Sequence, residues 1–139
     1  MGVVDTPFAI PNIRLENGEA VSHTRVGWFR SVFNVPHAFA IQSFIAGLAA
    51  EAGRDPKDFL LEMIGPPRRI TIEPPPLRTE EPWWNYGEDP VVYAIDTGRL
   101  ARVTETVAKA SGWGRELPKG HGPGIAPHRS FVSYTAAVI

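Results

Sequence analysis

The sequence predicts an α+β fold, with helices packed on a partial sheet. Two patterns carry that expectation. Apolar residues recur at helical spacing in three runs, and the closing stretch "GIAPHRSFVSYTAAVI" (residues 124–139) has the β-branched and aromatic content of strands. At 139 residues the chain suits one domain with a moderate core.

Residues 1–35 read as an irregular segment ending in a loop, because Pro7 and Pro11 interrupt any regular run. Within it, "NIRLENGEAV" has the form of a hairpin, with Asn17-Gly18 suited to a type I′ turn. Residues 36–65 read as a helical pair. The first helix is expected from about Pro36, as its first residue, to Ala52, with Ile41, Phe44, Ile45, Leu48 and Ala52 on one face. Ala38, Gln42, Ala46, Gly47 and Ala49 make the opposite face, which is small and barely polar. A helix apolar nearly all round is a buried one. The second helix begins at Asp55-Pro56, with Asp55 as N-cap and Pro56 at the first helical position, and stops at Gly65.

Residues 66–90, "PPRRITIEPPPLRTEEPWWNYGEDP", read as a proline-rich connection. A loop of that length is usually functional or an interaction segment. Trp83, Trp84 and Tyr86 within it are expected to dock on a surface, since aromatics left in water forfeit about 1.5–3 kcal/mol each. Residues 91–139 hold a third helix and the terminal strands. The helix runs from about Thr97 to Ser111, capped by Asp96 or Thr97, lined by Leu100, Val103 and Val107, and closed by Gly112. The strand pattern then continues to Ile139 with no turn or polar tail, which predicts a chain that stops in the middle of a sheet.

Composition excludes several function classes. The formal net charge of -1 gives no electrostatic reason for a nucleic-acid or anionic-membrane partner. The absence of cysteine removes disulfides, thiolate metal sites and cysteine nucleophiles from this chain. No apolar run approaches the roughly 18 residues that span a bilayer. The four histidines, His23, His37, His121 and His128, lack zinc-like spacing, and Ser130 and Ser133 have no nucleophile elbow around them. "GHGPG" lacks the lysine and hydroxyl of a phosphate loop.

What remains is the aromatic-basic loop Trp28-Phe29-Arg30 in front of the apolar helix. Backbone N–H groups at a loop-to-helix junction favour anions, and Arg30 can offer a planar donor fork; the plainer role for Arg30 is pairing with a carboxylate or capping carbonyls. The order of "WFRSVFNVPHAFAIQSF", "LAAEAGRDPKDFLLEMIG", "YAIDTGRLARVTETVAKASGWG" and "LPKGHGPGIAPHRSFVSY" resembles the molybdopterin-binding large subunit of the xanthine dehydrogenase/aldehyde oxidase family. Within that family it is most similar to the branch typified by the isoquinoline 1-oxidoreductase beta subunit. The resemblance covers nearly the whole chain and implies an interior piece of a larger molybdopterin-binding domain.

In that family a loop of the form Phe-Arg-Gly-Phe-Gly-Gly-Pro-Gln packs against the molybdenum–molybdopterin cofactor. Phe29 and Arg30 stand at its Phe-Arg, and Ser31, Val32, Phe33 and Asn34 replace the glycine-rich remainder. Phe29, Arg30, Ser31 and Val32 are therefore the cofactor-binding candidates that the resemblance implies. It implies as partners the remainder of the large subunit and an iron–sulfur subunit that takes the electrons. It also places the family's catalytic glutamate beyond Ile139, so no catalytic residue is assigned and the chain alone is expected to be inactive. The competing expectation, from a different class, is a small non-catalytic protein-binding module that uses the Trp-bearing proline-rich loop.

Overall fold

The computed structural model describes residues 5–16, 18, 20–27, 29–71 and 85–139. Among the described residues, three helices and two small antiparallel sheets make an α+β arrangement, as the sequence predicts. The helices are α1 (Asn34–Glu51), α2 (Pro56–Ile64) and α3 (Thr97–Ser111). Strands β1 (Arg69–Ile70) and β2 (Ile95–Asp96) form one sheet, and β3 (Ile125–Ser130) and β4 (Ser133–Val138) form the other. The partial sheet is thus two separate two-stranded ladders. The described residues of 12–21 form no strand, so the expected hairpin is not seen there; its Asn17 lies outside the described residues.

Local chemistry sets the helix ends. The Asp55 carboxylate accepts from the Asp58 N–H at 3.0 Å and Pro56 opens α2, while Asp96 accepts from the Arg99 N–H at 2.9 Å at the head of α3. Gly112 closes α3 in the left-handed conformation. Gly65 follows α2 at φ +73°, and a Cβ placed on it would lie 2.7 Å from the Ala9 Cβ. Only glycine permits both that backbone and that approach, which lets the Ala9 N–H reach the Met63 carbonyl at 2.8 Å. Arg68 completes the junction by donating from Nη1 to the Ile64 carbonyl and from Nη2 to the Pro7 carbonyl. The irregular N-terminal segment is held to the helical pair in this way.

Phe8, Ile45, Leu60, Ile64, Leu100, Ala108 and Ile125 form the core. Each fully buried aliphatic side chain is worth about 1.5–3 kcal/mol; from α2 Leu60 and Ile64 are fully buried, and Phe59 and Met63 pack against them in part.

Helix α1 departs from expectation in two ways. It starts two residues early, so Pro36 is its third residue, still inside the first turn where its missing N–H costs nothing. Its buried face is Asn34, Ile45 and Ala49, with Ile41 packed alongside, while Phe39 and Phe44 point outward at 75% and 68% exposure. The stripe that meets the rest of the molecule therefore draws on both expected faces, with Ile41 and Ile45 from one and Ala49 from the other, and leaves Phe44, Leu48, Ala46 and Gly47 exposed. The described residues do not enclose the helix.

Candidate functional site

The loop before α1 is built on a tight double turn. The Val32 N–H donates to the Phe29 carbonyl at 2.9 Å, and the Asn34 N–H to the Ser31 carbonyl at 2.9 Å. Ser31 and Val32 take φ +63° and +49°, the left-handed region that glycine enters freely and a β-branched residue rarely does. Phe29 is 78% exposed and Arg30 is exposed as well, so both side chains point away from the core. Ser31 and Val32 are half-buried beneath them. Trp28 lies outside the described residues, as do Trp83 and Trp84 of the proline-rich connection.

Asn34, only 3% exposed, latches this loop to the rest of the molecule. Its Nδ2 donates to the Ser31 carbonyl at 3.0 Å, which leaves Oδ1 as an acceptor. The Tyr86 hydroxyl donates to that oxygen at 3.1 Å, and His128 Nε2 lies 2.9 Å from it. His128 Nε2 therefore carries the hydrogen. Burial pulls the His128 pKa below its ordinary value, with Asp5 opposing and His37 adding to the depression. Burial likewise raises the Tyr86 phenol, so both groups meet Asn34 in neutral form near pH 7.

A second layer of polar contacts supports the first. Arg129, 8% exposed on β3, donates from Nη2 to Asn85 Oδ1 and to the Tyr93 carbonyl, both at 2.8 Å. Asn85 Nδ2 in turn faces the carbonyls of Glu88, Asp89 and Tyr93 at 3.3–3.4 Å. Aromatic rings fill the space between: Phe33 stacks toward Tyr86 at 6.2 Å, and Tyr86 meets Phe131 at 4.6 Å. The cavity beside the cluster is about 30 Å3, water-sized rather than ligand-sized.

This network orders and neutralises; it supplies no nucleophile or paired acid and base. Among the described residues no group of three or more His, Asp or Glu could hold a metal ion. Of the sequence candidates, Phe29 and Arg30 are brought together on the outer surface, with Ser31 and Val32 below them. Asn34, Asn85, Tyr86, His128 and Arg129 hold the loop from within; the sequence pointed to Tyr86 as a docking aromatic and to Asn34 as part of the loop, but gave none of the five this latching role. One signal was present: Arg129 falls on the inward side of a period-two strand, in register with Ile125 and Pro127.

Fold and site together define an α+β chain that displays a latched aromatic-basic loop at the head of a half-covered helix. Half of the chain has a curated relative: a nicotinate dehydrogenase subunit of Pseudomonas putida is 32% identical over 66 residues. That match takes in 48% of this chain and 6% of the relative, so the chain spans a small part of the relative's length. No family model matches the chain, and no solved structure matches it. None of the described helices is long and apolar enough to cross a membrane.

Proposed function

We propose that this chain is part of the molybdopterin-binding subunit of a molybdenum hydroxylase of the aldehyde oxidase/xanthine dehydrogenase type. Its loop over Phe29, Arg30, Ser31 and Val32 then forms one wall of the cofactor site. The observation that carries the proposal is the loop's geometry. Ser31 takes a left-handed backbone, the conformation glycine enters freely, and glycine is what the resembled family's loop carries at that place; the Asn34 latch holds Phe29 and Arg30 outward. The partial likeness to a nicotinate dehydrogenase subunit supports the same class of enzyme.

The residues present suit such a group. An exposed guanidinium is a planar donor for phosphate oxygens, and the exposed Phe29 ring offers an apolar surface to a heterocycle. When bound, the cofactor supplies the redox chemistry. This chain's side chains bind and orient; none of them is assigned a proton transfer, and no catalytic residue is named. The exposed Phe39 and Phe44 face of α1 is where the remainder of the large subunit would lie, and an iron–sulfur subunit is the partner that takes the electrons.

The test is molybdenum content. The chain is expressed with the reading frames that flank it, in a host that makes the cofactor, as wild type and as Arg30→Ala. Metal retained by the wild type and reduced at least tenfold in the variant, at equal folding by circular dichroism, supports the proposal. Folded protein with no molybdenum in either form refutes it.

A further inference from the structure

We propose that the open margin of β4 is a docking site for one extended segment of another protein, added as a third strand beside β4. The segment carries a carboxylate side chain at the Tyr134 end and β-branched side chains toward Val138. This proposal is independent of the cofactor site.

The hydrogen-bond parity of the hairpin identifies the margin. Gly124 and Ile139 exchange both backbone bonds at 3.0 Å, and the register runs Ile125↔Val138 through Ser130↔Ser133. Antiparallel pairs alternate, so Ala137, Thr135 and Ser133 point their backbone groups inward to β3. Tyr134, Ala136 and Val138 therefore point their N–H and C=O groups outward. None of these three backbones has a partner among the described residues. The β3 margin is different, because its central outward position is Pro127, which has no N–H to give. One side of the ladder is interrupted and the other offers three donors and three acceptors at strand spacing.

Space and charge describe the occupant. A groove of about 560 Å3 runs along this margin between β4 and α3. Tyr134, Thr135 and Ala136 line it consecutively, which only the edge of a strand presents, since successive side chains alternate faces. From α3 it is lined by Arg99 and Arg102 at one end and by Val103 and Val107 beyond. Arg99 lies over the Tyr134 ring at 4.8 Å, and Tyr134 is tied by its hydroxyl to the Asp96 N–H at the head of α3. Neither arginine has an ion pair among the described residues. An added strand thus meets two unpaired cations near Tyr134 and an apolar floor further along. A second copy of this chain is a poor occupant, because β4 has no acidic residue to meet Arg99 and Arg102, and antiparallel pairing would set the Val138 end of one copy against the Tyr134 end of the other.

The experiment uses the full chain, labelled with nitrogen-15, and the peptides acetyl-Val-Thr-Val-Thr-Glu-Thr-amide and acetyl-Thr-Glu-Thr-Val-Thr-Val-amide. These place the carboxylate at the Tyr134 end for antiparallel and parallel addition respectively. The expected result is saturable shifts at the amides of Tyr134, Ala136 and Val138 with one of the two, and at least tenfold slower hydrogen exchange there. Lysine in place of the glutamate weakens binding, and so does methylating alternate peptide nitrogens. Arg99→Glu/Arg102→Glu, both exposed, weakens the glutamate peptide about fivefold and makes the lysine peptide the stronger. No saturable shift with either peptide overturns the proposal. Equal binding of the N-methylated peptide, or protection of the three amides in dilute free protein matching Thr135 and Ala137, overturns it as well. Protection that grows with protein concentration assigns the margin to a second copy and overturns it too.

Discussion

Replacing Phe39 and Phe44 by glutamine will change how the chain associates and leave its fold nearly untouched. The two rings are 75% and 68% exposed on the outer face of α1. A phenylalanine presents about 200 Å2, so together they show water about 280 Å2 of apolar surface, worth about 7 kcal/mol if fully covered. That is comparable to the whole stability of a small domain. Sedimentation velocity over a hundredfold concentration range is the assay, with thermal melts alongside. Wild type is expected to self-associate as concentration rises, and Phe39→Gln/Phe44→Gln to remain monomeric. Because surface substitutions stay within about 0.5 kcal/mol, the melting midpoint should move by less than about 2 °C. A monomeric wild type throughout the range, or a loss above about 2 kcal/mol in the variant, would refute the claim that this face is left uncovered.

Three further outcomes can be checked in the same preparations. Gly65→Ala must accept a left-handed backbone and a 2.7 Å approach to the Ala9 Cβ, so it should lose about 2–4 kcal/mol by urea denaturation; a loss under about 1 kcal/mol would mean that Ala9 does not sit there. Val132→Gly relieves φ +56° at the second turn position between β3 and β4. Relief of about 1–2 kcal/mol, less the flexibility that glycine adds to the unfolded chain, should raise the melting midpoint by about 2–4 °C. His128, facing Asp5, His37 and the Asn34 oxygen, has its folded pKa below the unfolded value of 6.5. Its contribution to stability is therefore complete above that pH and is lost as pH falls through the folded value. His128→Gln should flatten that part of the stability profile, and an unchanged slope would count against the assignment.

Much of the fold was legible because local chemistry determines it. Asp55, Pro56 and Gly65 bracket α2, and Asp96 and Gly112 bracket α3, as their side chains and backbone freedom require. The orientation of α1 was not legible, since apolar residues occupy both of its faces and the stripe that turns inward, Ile41, Ile45 and Ala49, takes residues from each. For the candidate site, Phe29 and Arg30 stand out by type and spacing, whereas Asn34, Tyr86 and Arg129 are ordinary until the fold brings residues 34, 86 and 129 within reach of one another. Long-range polar contacts of this kind leave no periodic trace. The split of the expected sheet into two ladders is likewise set by tertiary placement: Arg69–Ile70 pairs with Ile95–Asp96, which flank a connection and a helix start, not with the terminal hairpin.

Pro127 carries a consequence for crowding in the cell. A ribbon whose β4 border has every donor in place and whose β3 border lacks one in its middle makes a poor repeating link. Head-to-tail fibre growth through this hairpin is opposed at that second border by a single missing hydrogen.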